Sequence, residues 1–284
     1  MQMYQVDAFS RQLFQGNPAA VLILEQWLDD TLMQQIAAEN NLSETAFVQV
    51  IDAENYRIRW FTPQVEVDFC GHATLASAFV LFQFYTQAKQ IRFHVKDLGI
   101  FNICQAVDGR IEMDFPVRMP QRIEDYPAEL ENVIDRPIQA VYQNQQAFIL
   151  LCASEQDVIA AKPNFQMIQS LAEQYARSSC ITASDALDIS VTAAASTQAG
   201  NDEKFDYVAR YFAPHKGIPE DPVTGSMHTG LAPLWAALLN KQQLRAWQCS
   251  ARGGELFCVL KDNQRIEISG YAKLYMKAEI YIEV

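Results

Sequence analysis

Four polar side chains stand where chemistry could be done. Glu44 lies in Leu42-Ser43-Glu44-Thr45-Ala46-Phe47-Val48, where a polar helix exit gives way to a strand. A carboxylate there can take a proton from one carbon and return it at another. Partial burial would raise its pKa towards the range useful for both steps, and such a base contributes ~10²–10⁴ in rate. The same spacing also fits a glutamate that faces solvent at a strand edge. His72 follows Gly71 at the start of an apolar helix, where the helix dipole is expected to favour the neutral ring. It can accept or donate a proton, hold a substrate oxygen, or simply close the helix end. Further on, Glu220-Asp221-Pro222-Val223-Thr224-Gly225-Ser226 offers a second set. Asp221 can orient His72 or a substrate amine, or serve as the turn residue before Pro222. Ser226 can donate to a carboxylate beside helix N–H groups, or act as an ordinary cap.

The two sets stand in similar surroundings. Tyr56-Arg57-Ile58-Arg59-Trp60-Phe61-Thr62-Pro63 leads into Gly71-His72-Ala73-Thr74, and Tyr207-Val208-Ala209-Arg210-Tyr211-Phe212-Ala213-Pro214 leads into Gly225-Ser226-Met227-His228. Each reads as a strand, a Phe-x-Pro stop, a short acidic loop and a glycine opening an apolar helix. Repetition at half the chain length implies duplication. Two similar halves facing one another would form a cleft, and each helix start would bring backbone N–H donors to a small anion.

The elements that must position these residues follow from the hydrophobic pattern. In the first half, strands are expected over 4–9, 19–24, 45–51, 56–61, 92–95, 100–106 and 111–115. A helix capped by Asp29 or Asp30 runs to Asn40. A second helix, over 73–85, is apolar nearly all round and therefore buried. The Pro-rich stretch 116–127 reads as the passage between halves. The second half is expected to hold strands over 146–152, 180–182, 187–193, 207–212, 255–260 and 265–269, and a closing strand over 273–283 returns to the first half. The second half also holds helices over 164–178 and from about Ser226, with Pro233 bending the latter or delaying its regular start. Residues 201–204 read as an exposed loop. The division is thus 1–117, completed by a closing strand within 273–284, and 118–272.

Composition removes several function classes. The 284 residues carry a net charge of −12, which argues against nucleic acid as a partner. Half of the residues are hydrophobic, enough for a core in each half. The longest apolar runs are too short for a membrane span, and the start has no basic then apolar leader pattern, so a cytoplasmic location is expected. Six cysteines without C-x-x-C spacing read as reduced thiols. His94, His215 and His228 have no metal-ligand spacing, so no metal is expected. No G-x-G-x-x-G, P-loop or G-x-S-x-G is present, so no nucleotide cofactor or serine hydrolase is implied.

Val6-Asp7-Ala8-Phe9 with Gly16-Asn17-Pro18-Ala19-Ala20-Val21, the Glu44 phrase, Phe69-Cys70-Gly71-His72-Ala73-Thr74 and the Asp221–Ser226 phrase occur in an order that resembles the phenazine-biosynthesis PhzF-like family, of the diaminopimelate epimerase-like fold. The resemblance covers essentially the whole chain. It implies an α+β, duplicated fold: two halves, each a curled, mostly antiparallel sheet around a central buried helix, with the active cleft between them. It implies active-site roles at the positions of Glu44, His72, Asp221 and Ser226, and a homodimer. Epimerases of this fold use two cysteines as an acid–base pair. Here Cys70 falls near the first such place and no cysteine lies near Gly225, so Cys70 reads as a small buried filler. The expected activity is a cofactor-independent isomerase acting on a small carboxylate. Glu44 is the proton carrier, His72 and Asp221 assist, and Gly71, Ala73, Gly225 and Ser226 bind the carboxylate. Two rivals remain: an epimerase or racemase using Cys70, and a metabolite-binding protein without catalysis.

Overall fold

A computed structural model describes residues 1–179, 186–196 and 205–282. The strand expected over 180–182 and the loop over 201–204 lie outside them. The architecture is α+β, with strands predominating over helices. The chain divides into two compact units, Met1–Phe115 with Glu267–Val284, and Pro116–Ile266.

In the first unit, strand Gln2–Ala8 pairs antiparallel with Asn17–Leu24 and with the late strand Ala272–Glu279. Strand Asn17–Leu24 then pairs in parallel with Glu44–Val50, which pairs antiparallel with Asn55–Phe61. Strand Asn55–Phe61 runs parallel to Gln90–Val95, and antiparallel pairings continue through Gly99–Gln105 to Ile111–Pro116. The parallel step needs a crossover, and helix Asp30–Asn40 supplies it. Asp29 caps that helix by accepting from the Thr31 N–H at 2.9 Å, and Asn41 ends it in the left-handed region.

Helix Gly71–Phe84 buries every residue from Gly71 to Ala78. It packs against strands Gln2–Ala8, Asn17–Leu24 and Glu44–Val50. A helix apolar all round has no solvent for its hydroxyls, so they bond backward. Thr74 Oγ1 donates to the Cys70 carbonyl at 2.6 Å and Ser77 Oγ to the Ala73 carbonyl at 2.7 Å. The helix starts two residues earlier than its pattern indicated, because Gly71 and His72 already have helical pairing.

In the second unit, strand Ile138–Gln143 pairs antiparallel with Gln121–Ile123 and with Ala147–Cys152. Strand Ala147–Cys152 is parallel to Asp188–Ala194, which is antiparallel to Tyr207–Phe212. Strand Tyr207–Phe212 is parallel to Gln243–Gln248, which is antiparallel to Gly254–Lys261. Three of these strands, Gln121–Ile123, Ile138–Gln143 and Gln243–Gln248, were not expected from the pattern. They are short, and polar residues stand at one or both ends of each, so no clear apolar alternation marks them.

The helix expected from Ser226 begins as a tight 3₁₀ turn, Gly225–Met227, and becomes regular at His228–Leu239. Pro233 is tolerated inside it for a specific reason. It has no N–H for the carbonyl four residues back, and that carbonyl, Thr229 O, accepts from the Arg118 N–H at 3.0 Å instead. No helix among the described residues is long and apolar enough to cross a membrane.

Candidate active site

In the first unit, parallel pairing places Ala19 opposite Glu44, so Asn17 and Glu44 emerge at the same end of adjacent strands. Gly16 makes the tight entry to that end. Its φ is +70°, and a Cβ there would lie 2.1 Å from the Ala8 carbonyl oxygen. Buried Asp7 closes the same loop by accepting from the Phe14 N–H at 2.9 Å.

The start of helix Gly71–Phe84 brings His72 to this strand end. Glu44 Oε2 lies 2.9 Å from His72 Nε2, with Glu44 8% and His72 3% exposed. The contact is an ion pair with poor hydrogen-bond alignment, since Glu44 Oε2 has no aligned donor. On the other side of the ring, Asn17 Nδ2 lies 3.1 Å and Cys70 Sγ 3.4 Å from Nδ1; a charged ring carries a hydrogen on Nδ1 and so needs the Asn17 amide turned to present its oxygen.

Burial alone would pull the His72 pKa down. The charges of Cys70 and Glu44 and their hydrogen bonds outweigh it and hold the pKa well above 6.5. Burial first, and then the Glu44 charge, pushes the Cys70 thiol up to about 11. The thiol is therefore neutral near pH 7, which leaves the Glu44 carboxylate as the neighbour able to favour a proton on His72. This corrects the expectation of a neutral ring set by the helix dipole. Cys70 is also more than filler, since its sulfur contacts the imidazole. Within its own unit, the neighbours of the His72 ring nitrogens are Asn17, Glu44 and Cys70.

No side chain caps the start of helix Gly71–Phe84. The Ala73 N–H is turned towards the Cys70 sulfur. Glu44, Cys70 and His72 form a donor set whose atoms all lie within 4.8 Å of one another, which is metal-ligand spacing.

In the second unit, Asp221 and Thr224 close a turn: the Thr224 hydroxyl donates to Asp221 Oδ2. Gln248, fully buried, staples it. Its Oε1 accepts from the Thr224 N–H at 2.7 Å, and its Nε2 donates to the Asp221 carbonyl at 2.9 Å. Glu220 is held by Arg210 at 2.7 and 2.8 Å. Beyond the turn, Gly225 is buried and Ser226 half-buried. Ser226 Oγ accepts from Gln146 Nε2 at 2.8 Å.

The profile of the phenazine biosynthesis-like protein family matches residues 6–278. The chain belongs to that family. It is 42% identical over 280 residues to an uncharacterized isomerase of Pseudomonas aeruginosa, covering 99% of this chain and 98% of that one. A crystal structure of a PhzC/PhzF phenazine biosynthesis protein from Clostridium difficile matches with a TM-score of 0.86 at 40% identity, over 99% of this chain and 100% of that one. A PhzF-family structure from Enterococcus faecalis matches with a TM-score of 0.87 at 38% identity, over 99% of both chains. Family and relatives together support an isomerase role.

Set against the family phrases, the geometry brings Glu44, Gly71, His72 and Ala73 together in one unit and Asp221, Gly225 and Ser226 in the other. Sequence reasoning gave no role to Asn17, Gln146 or Gln248. Asn17 was signalled by Gly16-Asn17-Pro18, whose glycine marks a close backbone approach. Gln146 and Gln248 carry no local signal, because a glutamine beside a strand is ordinary until its partners are known.

Proposed function

We propose that this protein is a cofactor-independent isomerase that moves a proton between carbons of a small carboxylate-bearing metabolite. Glu44 takes a proton from carbon, the C–H electron pair shifts into the substrate's unsaturated system, and Glu44 returns the proton at a different carbon. Substrate and product are isomers, so no oxidant or second substrate is consumed. His72 assists by keeping a positive charge beside Glu44. Asp221 assists in the transfer and holds polar groups, while Gly71, Ala73, Gly225 and Ser226 hold the carboxylate.

The observation that carries the reading is the buried Glu44–His72 contact of 2.9 Å. A proton taken by Glu44 stays next to an ionised group and away from water, which favours its return to substrate. Family membership and the isomerase name of its relative point the same way. A phenazine pathway does not follow, since fold and site chemistry serve many pathways. An epimerase working through Cys70 is disfavoured by a thiol pushed up to about 11.

The test is solvent deuterium incorporation. Small amino, hydroxy and unsaturated carboxylic acids are incubated in D₂O with wild type and with Glu44→Gln, and label on carbon is read by mass and NMR. Label or rearrangement with wild type alone is the expected result. Equal turnover by Glu44→Gln overturns the role of Glu44. A compound bound by wild type and recovered with neither label nor rearrangement points to a binding protein.

A further inference from the structure

The second unit contains a partly buried polar chain that ends at Ser226. Gln146 sits just before strand Ala147–Cys152. Asn144 shapes the turn that places it, accepting from the Gln146 and Ala147 N–H groups at 2.9 and 3.0 Å. Asn144 is itself held by the Arg118 carbonyl at 3.1 Å. Gly230 lets this turn come close, because a Cβ there would meet Asn144 Nδ2 at 2.4 Å.

The direction of every hydrogen bond in the chain is determined. Arg118 Nη1 donates to Gln146 Oε1 at 3.0 Å, and a guanidinium cannot accept, so the amide cannot be turned over. The two hydrogens on Gln146 Nε2 therefore go to Tyr211 OH and to Ser226 Oγ, both at 2.8 Å. Tyr211 passes its own proton on to Asp188 Oδ2, which also holds Lys216 Nζ at 2.8 Å. The His215 side chain, itself buried, stands 3.1 Å from the other Asp188 oxygen through Nε2. Burial, and then Asp188, keeps the Tyr211 phenol protonated far above neutral pH.

Ser226 thus receives a hydrogen bond from Gln146 and keeps its own hydrogen to give. Its hydroxyl makes no other side-chain hydrogen bond among the described residues. We infer that Gln146 is a positioning residue that fixes Ser226 as a hydrogen-bond donor, so that this serine selects an acceptor group such as a carboxylate over an ammonium group. The inference rests on Ser226 as a ligand-holding residue, the role given to it under Proposed function. It adds the agent that sets the polarity and the ligand charge that follows.

Two measurements test it. Neutron diffraction from deuterated wild-type crystals reads the polarity without any ligand. The expected map has the Gln146 amide deuterons on Tyr211 and Ser226, and the Ser226 deuteron pointing away from Gln146. A Ser226 deuteron aimed at Gln146 overturns the inference, whatever becomes of the isomerase reading. The second uses benzoate and benzylammonium as charge probes in NMR shift titrations. Wild type is expected to favour benzoate at Ser226. In Gln146→Glu the new carboxylate cannot donate, and the benzoate preference should fall by about tenfold or more. In a Ser226→Ala background the same change should cost little further. Wild type indifferent to benzoate, or a Gln146→Glu variant that is folded and keeps the preference, overturns the inference.

Discussion

Two histidines stand at the starts of two buried helices and hold opposite protonation states. His72 is the second residue of helix Gly71–Phe84, and His228 is the first of helix His228–Leu239. Both are buried, and burial pulls both pKa values down. His72 meets the Glu44 carboxylate at 2.9 Å and is held well above 6.5. His228 meets a phenol, Tyr207 OH, at 2.7 Å from Nδ1 and is pushed down to about 3. Tyr207, its own pKa held well above 10 by burial, keeps its proton and donates it. Both are histidines in the first turn of a buried helix, so the partner decides.

Magnitudes explain why. A helix terminus is worth ~0.3–1 kcal/mol to a nearby charge. A unit charge at 2.9 Å is worth roughly 6 kcal/mol at an effective dielectric of ~20, before desolvation. The dipole cannot keep His72 neutral against Glu44, and nothing near His228 is strong enough to charge it. One helix start thereby holds a charged ring and the other a neutral one.

The largest expected effect comes from breaking the first pairing. Glu44→Gln should lower turnover by ~10²–10⁴ while leaving the fold intact, as measured by steady-state rates beside circular dichroism. Turnover within a factor of a few of wild type would remove Glu44 from the mechanism.

Acid separates the two histidines next. His228 has a depressed folded pKa, so its contribution to stability is complete above 6.5 and is lost as pH falls towards about 3. His72 has a raised folded pKa, so its contribution is complete below 6.5 and is lost as pH rises through the folded value. Denaturant unfolding across pH should show His228→Gln weakening the acid limb and His72→Gln weakening the alkaline one. Removing the phenol donor in Tyr207→Phe leaves a buried acceptor unpaired and should cost about 1–3 kcal/mol in the same assay.

Smaller effects test the neighbours. Cys70→Ser should keep activity within about tenfold, because a neutral thiol carries no proton in this scheme. An inactive and folded Cys70→Ser would revive the epimerase reading. Pro233→Ala should change stability by less than about 1 kcal/mol, because the Arg118 N–H already serves the Thr229 carbonyl.

Much of this was legible in the sequence, for reasons that differ by residue. The burial of helix Gly71–Phe84 followed from its apolar run, and the Asp29 cap from a short polar residue ahead of an amphipathic stretch. Family membership followed from several short phrases in order. Strands such as Ile138–Gln143 were missed because their apolar alternation is weak and neighbours supply their pairing. The charge of His72 was misread because it depends on contacts with Cys70 and with Glu44, 28 positions earlier, which packing of helix Gly71–Phe84 on strand Glu44–Val50 brings close. The network of Gln146, Tyr211 and Asp188 was invisible because long-range hydrogen bonds between common residues leave no local trace.

One NMR measurement reports on both histidines. A ¹⁵N titration of the imidazole rings in wild type and Glu44→Gln resolves the protonation of His72 and His228 together. The account predicts that wild-type His72 carries protons on both ring nitrogens well above pH 6.5, that His228 stays neutral down to about pH 3, and that Glu44→Gln lowers the first and leaves the second unchanged. A His72 that titrates alike in both proteins would contradict the claim that Glu44 and His72 act as a pair.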